Sequence, residues 1–104
     1  MECGCKQETT SIVLEGEYGA DPLWCAVCQY NLDLDEIALS SDLINELYNW
    51  AGSFGEWVDI ELNEFVEDGE KLEASHNARG KELASKVNAE LGAKYKVTFR
   101  ASEM

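Results

Sequence analysis

Apolar residues recur at helical spacing in the middle of the chain. Leu43, Leu47 and Trp50 stand four and three positions apart, so they share one face of a helix. The two serines at 40–41 precede this stripe and suit the N-cap position, where a side-chain oxygen accepts a backbone N–H. The pattern therefore predicts an amphipathic helix over about 41–52.

A second, longer stripe occupies the last third of the chain. Its members recur at roughly helical spacing: Leu72, His76, Leu83, Val87 and Leu91. Gly92 follows at a position where glycine commonly ends a helix, so the stripe predicts a helix over about 70–91. Gly80 in its middle costs about 1 kcal/mol against alanine, which indicates close approach to another element. His76 is the single histidine, and this position favours a structural role over a catalytic one.

Alternation with a period of two marks a strand near the C-terminus. Tyr95, Val97 and Phe99 alternate with lysine, threonine and arginine, which predicts an amphipathic strand over about 94–100. The segment 57–66 is ambiguous, because its apolar residues fit both a strand and a helix, and we favour a short strand.

The composition favours a single globular domain over residues 1–104, since 45% of the residues are apolar. No apolar run approaches the roughly 18 residues of a membrane-spanning helix. The segment Met1–Thr10 is polar and lacks the apolar centre of a secretory signal. We therefore expect a cytoplasmic protein that does not bind membranes.

Negative charge is concentrated in the first two thirds of the chain. The formal net charge is -13, and residues 7–70 contain sixteen Asp and Glu but no Lys or Arg. Residues 71–104 contain seven basic and four acidic residues. This last part can neutralise the acidic part by packing beside it, or the acidic part can present a face to a basic protein partner. Nucleic-acid binding is disfavoured, because it requires clustered Lys and Arg.

Four cysteines suggest a metal site near the N-terminus. Cys25 and Cys28 form a Cys-x-x-Cys pair, and Cys3 and Cys5 lie upstream, with 19 residues between Cys5 and Cys25. The intervening residues contain β-forming positions and an Asp-Pro turn signal, which predict a hairpin. Zn²⁺ prefers four tetrahedral ligands, and paired cysteines in a reducing compartment more often bind metal than form disulfides. The spacing predicts one structural Zn²⁺ site formed by all four thiolates.

Through these cysteines and the Tyr-Gly-Ala-Asp-Pro turn between them, residues 3–32 resemble a zinc-ribbon module in a small bacterial protein. The predicted fold class is α+β. It combines a zinc-stapled β-hairpin in a possible metal-binding lobe at 1–35, helices over about 41–52 and 70–91, and a strand over about 94–100.

Three hypotheses for the function follow. The main one is a non-enzymatic acidic zinc-binding protein that acts as an interaction module for a basic protein partner. The first alternative is an acidic inhibitor or immunity-type protein that blocks a basic enzyme, because a long stretch of the chain lacks any positive side chain. The second alternative is a thiol-dependent oxidoreductase, which requires Cys25 or Cys28 to be exposed with a lowered pKa.

Overall fold

Two helices and two small sheets form residues 10–102, the part of the chain that the computed structural model describes. The fold is α+β. Its elements are β1 (Ser11–Leu14), β2 (Leu23–Cys25), a 3₁₀ turn (Leu34–Glu36), α1 (Ser41–Gly52), β3 (Val58–Asp59), β4 (Glu64–Phe65), α2 (Gly69–Leu91) and β5 (Lys96–Phe99). The two predicted helices and the predicted C-terminal strand are confirmed, with bounds that differ by at most two residues.

β1 is the central strand of the larger sheet, whose order is β2-β1-β5. It runs antiparallel to β2 and parallel to β5, so the N-terminal hairpin and the C-terminal strand share one sheet. Ile12 and Leu14 of β1 are buried in the same core as Val97 of β5, because alternate side chains of a strand face the same side. The predicted hairpin is present, and apolar packing holds it against the main core. Stapling by zinc is not shown.

The two helices complete this core. α1 packs on α2, and α2 packs on β5. The side chains that they bury are Leu43, Leu47 and Trp50 of α1 and His76, Leu83, Ala84 and Val87 of α2. Ser40 is the N-cap of α1, and its Oγ accepts the N–H of Leu43 at 3.3 Å. The backbone N–H and hydroxyl of Ser40 donate to Glu90, which ties the start of α1 to the end of α2. Within residues 10–102, neither helix has the length and apolar character that crossing a bilayer demands.

Gly80 lies where α2 crosses the sheet, and a Cβ at this position would overlap the ring of Phe99 on β5. The close approach predicted from the sequence is confirmed. We expect Gly80→Ala to lower the free energy of unfolding by about 1–3 kcal/mol, because overpacking outweighs the gain in helix propensity. Urea unfolding followed by circular dichroism measures this change.

Gly52 provides the matched control for this prediction. It is the last residue of α1, and a Cβ there would meet no atom within 4 Å. Gly52→Ala is therefore expected to leave stability unchanged or to raise it by up to about 1 kcal/mol. Equal effects of the two substitutions would show that the contact between Gly80 and Phe99 does not limit packing.

Candidate functional site

Two of the four cysteines that the sequence singled out lie within the described residues. Cys25 ends β2 and is buried, whereas Cys28 is exposed in the turn that follows. Cys3 and Cys5 lie outside the described residues. Within residues 10–102, no group of three or more His, Cys, Asp or Glu side chains is arranged to hold a metal ion. The four-thiolate site therefore stays a prediction.

A carboxylate on one side of α1, that of Glu46, is neutralised by two cations of α2. Glu46 accepts hydrogen bonds from Arg79 at 2.8 Å and from Lys86 at 3.0 Å. These two hydrogen bonds, first from Lys86 and then from Arg79, hold the pKa of Glu46 below its ordinary value. Arg79 also pairs with Glu82 at 2.9 Å on its own helix. The cationic last third therefore does pack against the acidic part, here at Glu46 and also where Arg100 lies 3.6 Å from Glu15.

Tyr48 marks the other side of α1. It stands two positions after Glu46, and each residue of a helix advances by about 100°, so the two side chains leave the helix in nearly opposite directions. The ring is partly exposed, at 39%. Around it lie Asp21, Asp33 and Asp35, close enough to act electrostatically on its hydroxyl. We call these four residues the acidic tyrosine patch.

Local hydrogen bonds fix the loops that carry the patch. Asp21 accepts the N–H of Leu34 through Oδ2 at 3.2 Å, and its backbone oxygen accepts the Asn31 amide at 2.6 Å. Asp33 caps the 3₁₀ turn by accepting the N–H of Asp35 at 2.9 Å. The carboxylates of Asp21 and Asp33 are therefore held in place before any partner arrives.

The electrostatics of the patch follow from its composition. Burial and then the negative charges of Asp21, Asp35 and Asp33 raise the pKa of Tyr48 above its ordinary value. The phenol therefore stays protonated at neutral pH and can donate a hydrogen bond. None of the three carboxylates forms an ion pair with a Lys or Arg among residues 10–102. The patch combines an aromatic ring with unneutralised negative charge, a combination suited to binding a cationic surface.

Sequence reasoning missed this patch. Nothing in the hydrophobic pattern distinguishes Tyr48 from an aromatic residue of the core, and the aspartates belong to two loops whose positions differ by twelve or more residues. The available signal was weak: Tyr48 follows Leu47 of the buried stripe by one position, which turns it away from the core.

His76 is buried, as expected for a structural residue, with 7% of its surface exposed. Its ring stacks on Trp50 with centroids 4.2 Å apart and lies 4.6 Å from the ring of Trp57. Desolvation lowers the pKa of His76 to about 4. The histidine also lines a shallow cleft of about 420 Å³ beside Gly16 and Phe54. Glu15, Glu17 and Ser102 also line this cleft. The ring itself packs against Trp50 and Trp57, which supports a structural role.

The zinc-ribbon assignment of residues 3–32 is wrong. Residues 12, 14, 23 and 32 of this segment are buried apolar side chains in the same core as both helices, so the segment is part of the main fold. The zinc-ribbon description of the protein consequently has no support among the described residues.

Comparison with known proteins gives the assignment that replaces it. No curated protein matches the chain. A family model described as Serratia CdiI immunity protein-like matches residues 10–102, which covers both helices and both sheets. The chain therefore belongs to the Serratia CdiI immunity protein-like family.

Proposed function

We propose that this protein is an immunity protein that neutralises a toxin by binding it through the acidic tyrosine patch. Membership of an immunity-protein-like family supports the first half of this proposal. The arrangement of charge supports the second half, and it is the observation that carries the choice of surface. The proposal corresponds to the immunity-type alternative from the sequence and replaces the zinc-binding module as the main hypothesis.

The cations of α2 lie away from the acidic tyrosine patch. Arg79 and Lys86 are engaged by Glu46 on one side of α1, so they do not neutralise the aspartates around Tyr48. With a formal net charge of -13, the field of the protein attracts cationic molecules. A toxin with a basic face would be steered toward the patch and oriented by it.

The mode of action that we propose is binding without catalysis. An immunity protein of this kind blocks its toxin by occupying a surface that the toxin needs. The oxidoreductase alternative finds no support. Cys28 is exposed, as this alternative requires, but Cys25 is buried and the turn that carries Cys28 is not directly followed by an α-helix. A cytoplasmic location stays a prediction.

Growth protection tests the proposal directly. Cells that carry an inducible copy of a candidate toxin should stop growing on induction and should resume growth when this chain is coexpressed. The purified proteins should form a complex whose affinity falls steeply as salt rises, because exposed charges are screened. Failure to protect cells and to bind the purified toxin would overturn the proposal.

Neutralising the patch should slow the formation of this complex. Asp33→Asn with Asp35→Asn removes two exposed charges, and asparagine keeps an oxygen that can accept the capping N–H. We expect the association rate constant at low salt to fall by about tenfold, with a much smaller change in the dissociation rate constant. Stopped-flow mixing or surface plasmon resonance measures both constants.

The matched control removes two charges from α2 instead. Glu82→Gln with Glu90→Gln removes the same number of negative charges, but from the helix whose cations pair with Glu46. Glutamine at position 90 keeps an oxygen that can accept the N–H of Ser40. Its association rate constant should stay within about twofold of the wild-type value, since electrostatic steering depends on where the charges lie. Equal slowing by both double variants would show that net charge alone, and not the patch, guides association.

A further inference from the structure

The hairpin of β3 and β4, residues 58–65, presents large apolar side chains to solvent. Ile60 is 73% exposed, Leu62 is 65% exposed and Phe65 is 41% exposed. Apolar side chains this exposed are ordinary when they stand singly, but here three occur within six residues. The alternating apolar residues that favoured a short strand here therefore do not pack into the core. We call residues 58–65 the acidic hairpin, because carboxylates separate its apolar residues.

The acidic hairpin is fixed to the core at its base. Trp57, which is fully buried, directly precedes it, and the backbone oxygen of Trp57 accepts the N–H of Val66 at 3.0 Å. Val66 in turn accepts the N–H of Gly69 at 2.8 Å, at the start of α2. A Cβ on Gly69 would lie 2.5 Å from the backbone oxygen of Trp57, so the helix can approach the hairpin this closely only with glycine.

The tip is ordered by its own hydrogen bonds. Oδ1 of Asp59 accepts the N–H of Glu61 at 3.0 Å and that of Leu62 at 3.2 Å. Asn63 adopts a positive φ of 54°, which asparagine tolerates better than most residues and which closes the turn. Ile60 and Leu62 are thus presented on a preformed turn, and a partner that binds them loses little conformational entropy.

The charges around the tip indicate what it binds. Six carboxylates lie between residues 56 and 68, and none forms an ion pair with a Lys or Arg of the described chain. A second copy of this protein would bring like charges together, and an anionic membrane surface or a nucleic acid would be repelled in the same way. A protein surface with an apolar pocket and a basic rim has the complementary properties.

We propose that the acidic hairpin is the apolar anchor of the toxin complex, with Ile60 and Leu62 entering an apolar pocket whose rim is basic. This inference rests on the proposed function and adds a second contact to it. The acidic tyrosine patch and the hairpin have different kinetic roles. Long-range charge sets how fast the complex forms, whereas buried apolar contacts set how long it lasts.

Substitution of the tip separates these roles. Ile60→Ser with Leu62→Ser should raise the dissociation rate constant from the purified toxin by about 10- to 100-fold, because two buried aliphatic contacts are lost. The association rate constant and its dependence on salt should stay near the wild-type values. Both side chains are mostly exposed in the free protein, so its thermal stability should not change.

Val27→Ser is the matched control, since Val27 is 75% exposed and lies outside the acidic hairpin. Its dissociation rate constant should equal that of the wild type. If the wild-type protein binds the toxin and the tip variant dissociates from it as slowly as the wild type does, the acidic hairpin is not an anchor. The proposed function then still stands. If the wild-type protein neither binds nor protects, the proposed function itself fails. Loss of affinity in the tip variant through slower association alone would also contradict the anchor role.

Discussion

Trp57→Ala should lower the free energy of unfolding by about 3–5 kcal/mol, a larger loss than Gly80→Ala should cause. Trp57 has no exposed surface. It packs edge-on against Phe54, with ring centroids 5.4 Å apart, and lies 4.6 Å from His76. Its removal leaves a cavity that rigid neighbours cannot fill. Domains of this size are stable by about 5–15 kcal/mol, so this loss is a large part of the total stability.

Urea unfolding followed by circular dichroism measures this loss. Tyr30→Ala serves as the control for the removal of an aromatic ring, since Tyr30 is 54% exposed and its truncation should cost less than about 1 kcal/mol. The acidic hairpin begins one residue after Trp57, so the alanine variant should also weaken toxin binding through the hairpin. Equal stability of the two variants would show that the cluster around Trp57 contributes little to the fold.

Two phenylalanine variants distinguish the roles of the buried tryptophans. Nε1 of Trp50 donates to the backbone oxygen of His76 at 3.0 Å, whereas Nε1 of Trp57 has no acceptor among residues 10–102. Trp50→Phe therefore loses a hydrogen bond that Trp57→Phe does not, and it should cost about 1 kcal/mol more. The same unfolding measurement tests this order.

The helices were predictable because their information is local. Leu43, Leu47 and Trp50 repeat at the helical period, and the structure buries all three. The close contact at Gly80 was predictable for a similar reason. Glycine in the middle of a helix lowers stability, so its presence indicates that another element packs too closely for a side chain. The hairpin at 58–65 was not, because alternation shows that side chains face two sides without showing which side meets the core. There, all residues from 60 to 65 are exposed, the apolar ones included.

The candidate site could not be derived from sequence because its parts meet only in three dimensions. Asp21 and Asp33 come from different loops, and Tyr48 comes from a helix whose buried stripe gave no reason to single it out. The charge distribution did predict an acidic face, and it led to the immunity-type alternative that the family supports. The zinc-ribbon resemblance is wrong because residues such as Ile12 and Leu14 of this segment are buried in the core that both helices share.

His76 gives the protein a stability that depends on pH. Its pKa is lowered to about 4 by desolvation, whereas an unfolded chain has an ordinary histidine pKa of about 6.5. Between these values the unfolded state binds a proton that the folded state does not, so stability falls as the pH falls through this window. Above about pH 6.5 the contribution is fully present, and at pH 5 about 2 kcal/mol should be lost relative to pH 7.

The surroundings of the ring explain why the folded state resists protonation. Trp50 and Trp57 cover its faces, and the cleft at its edge contains Glu15 and Glu17 on one strand end and Arg100 on another. Glu15 is paired with Arg100 at 3.6 Å, so this carboxylate is not free to compensate an imidazolium.

His76→Phe isolates this effect, because phenylalanine keeps a ring against Trp50 but does not titrate. Urea unfolding at pH 7 and at pH 5 should show a loss of about 2 kcal/mol in the wild type and a clearly smaller loss in the variant. The measurement does not go below pH 5, because protonation of the many carboxylates below that value relieves their repulsion and acts in the opposite direction. An equal loss in both proteins would assign the pH dependence to groups other than His76.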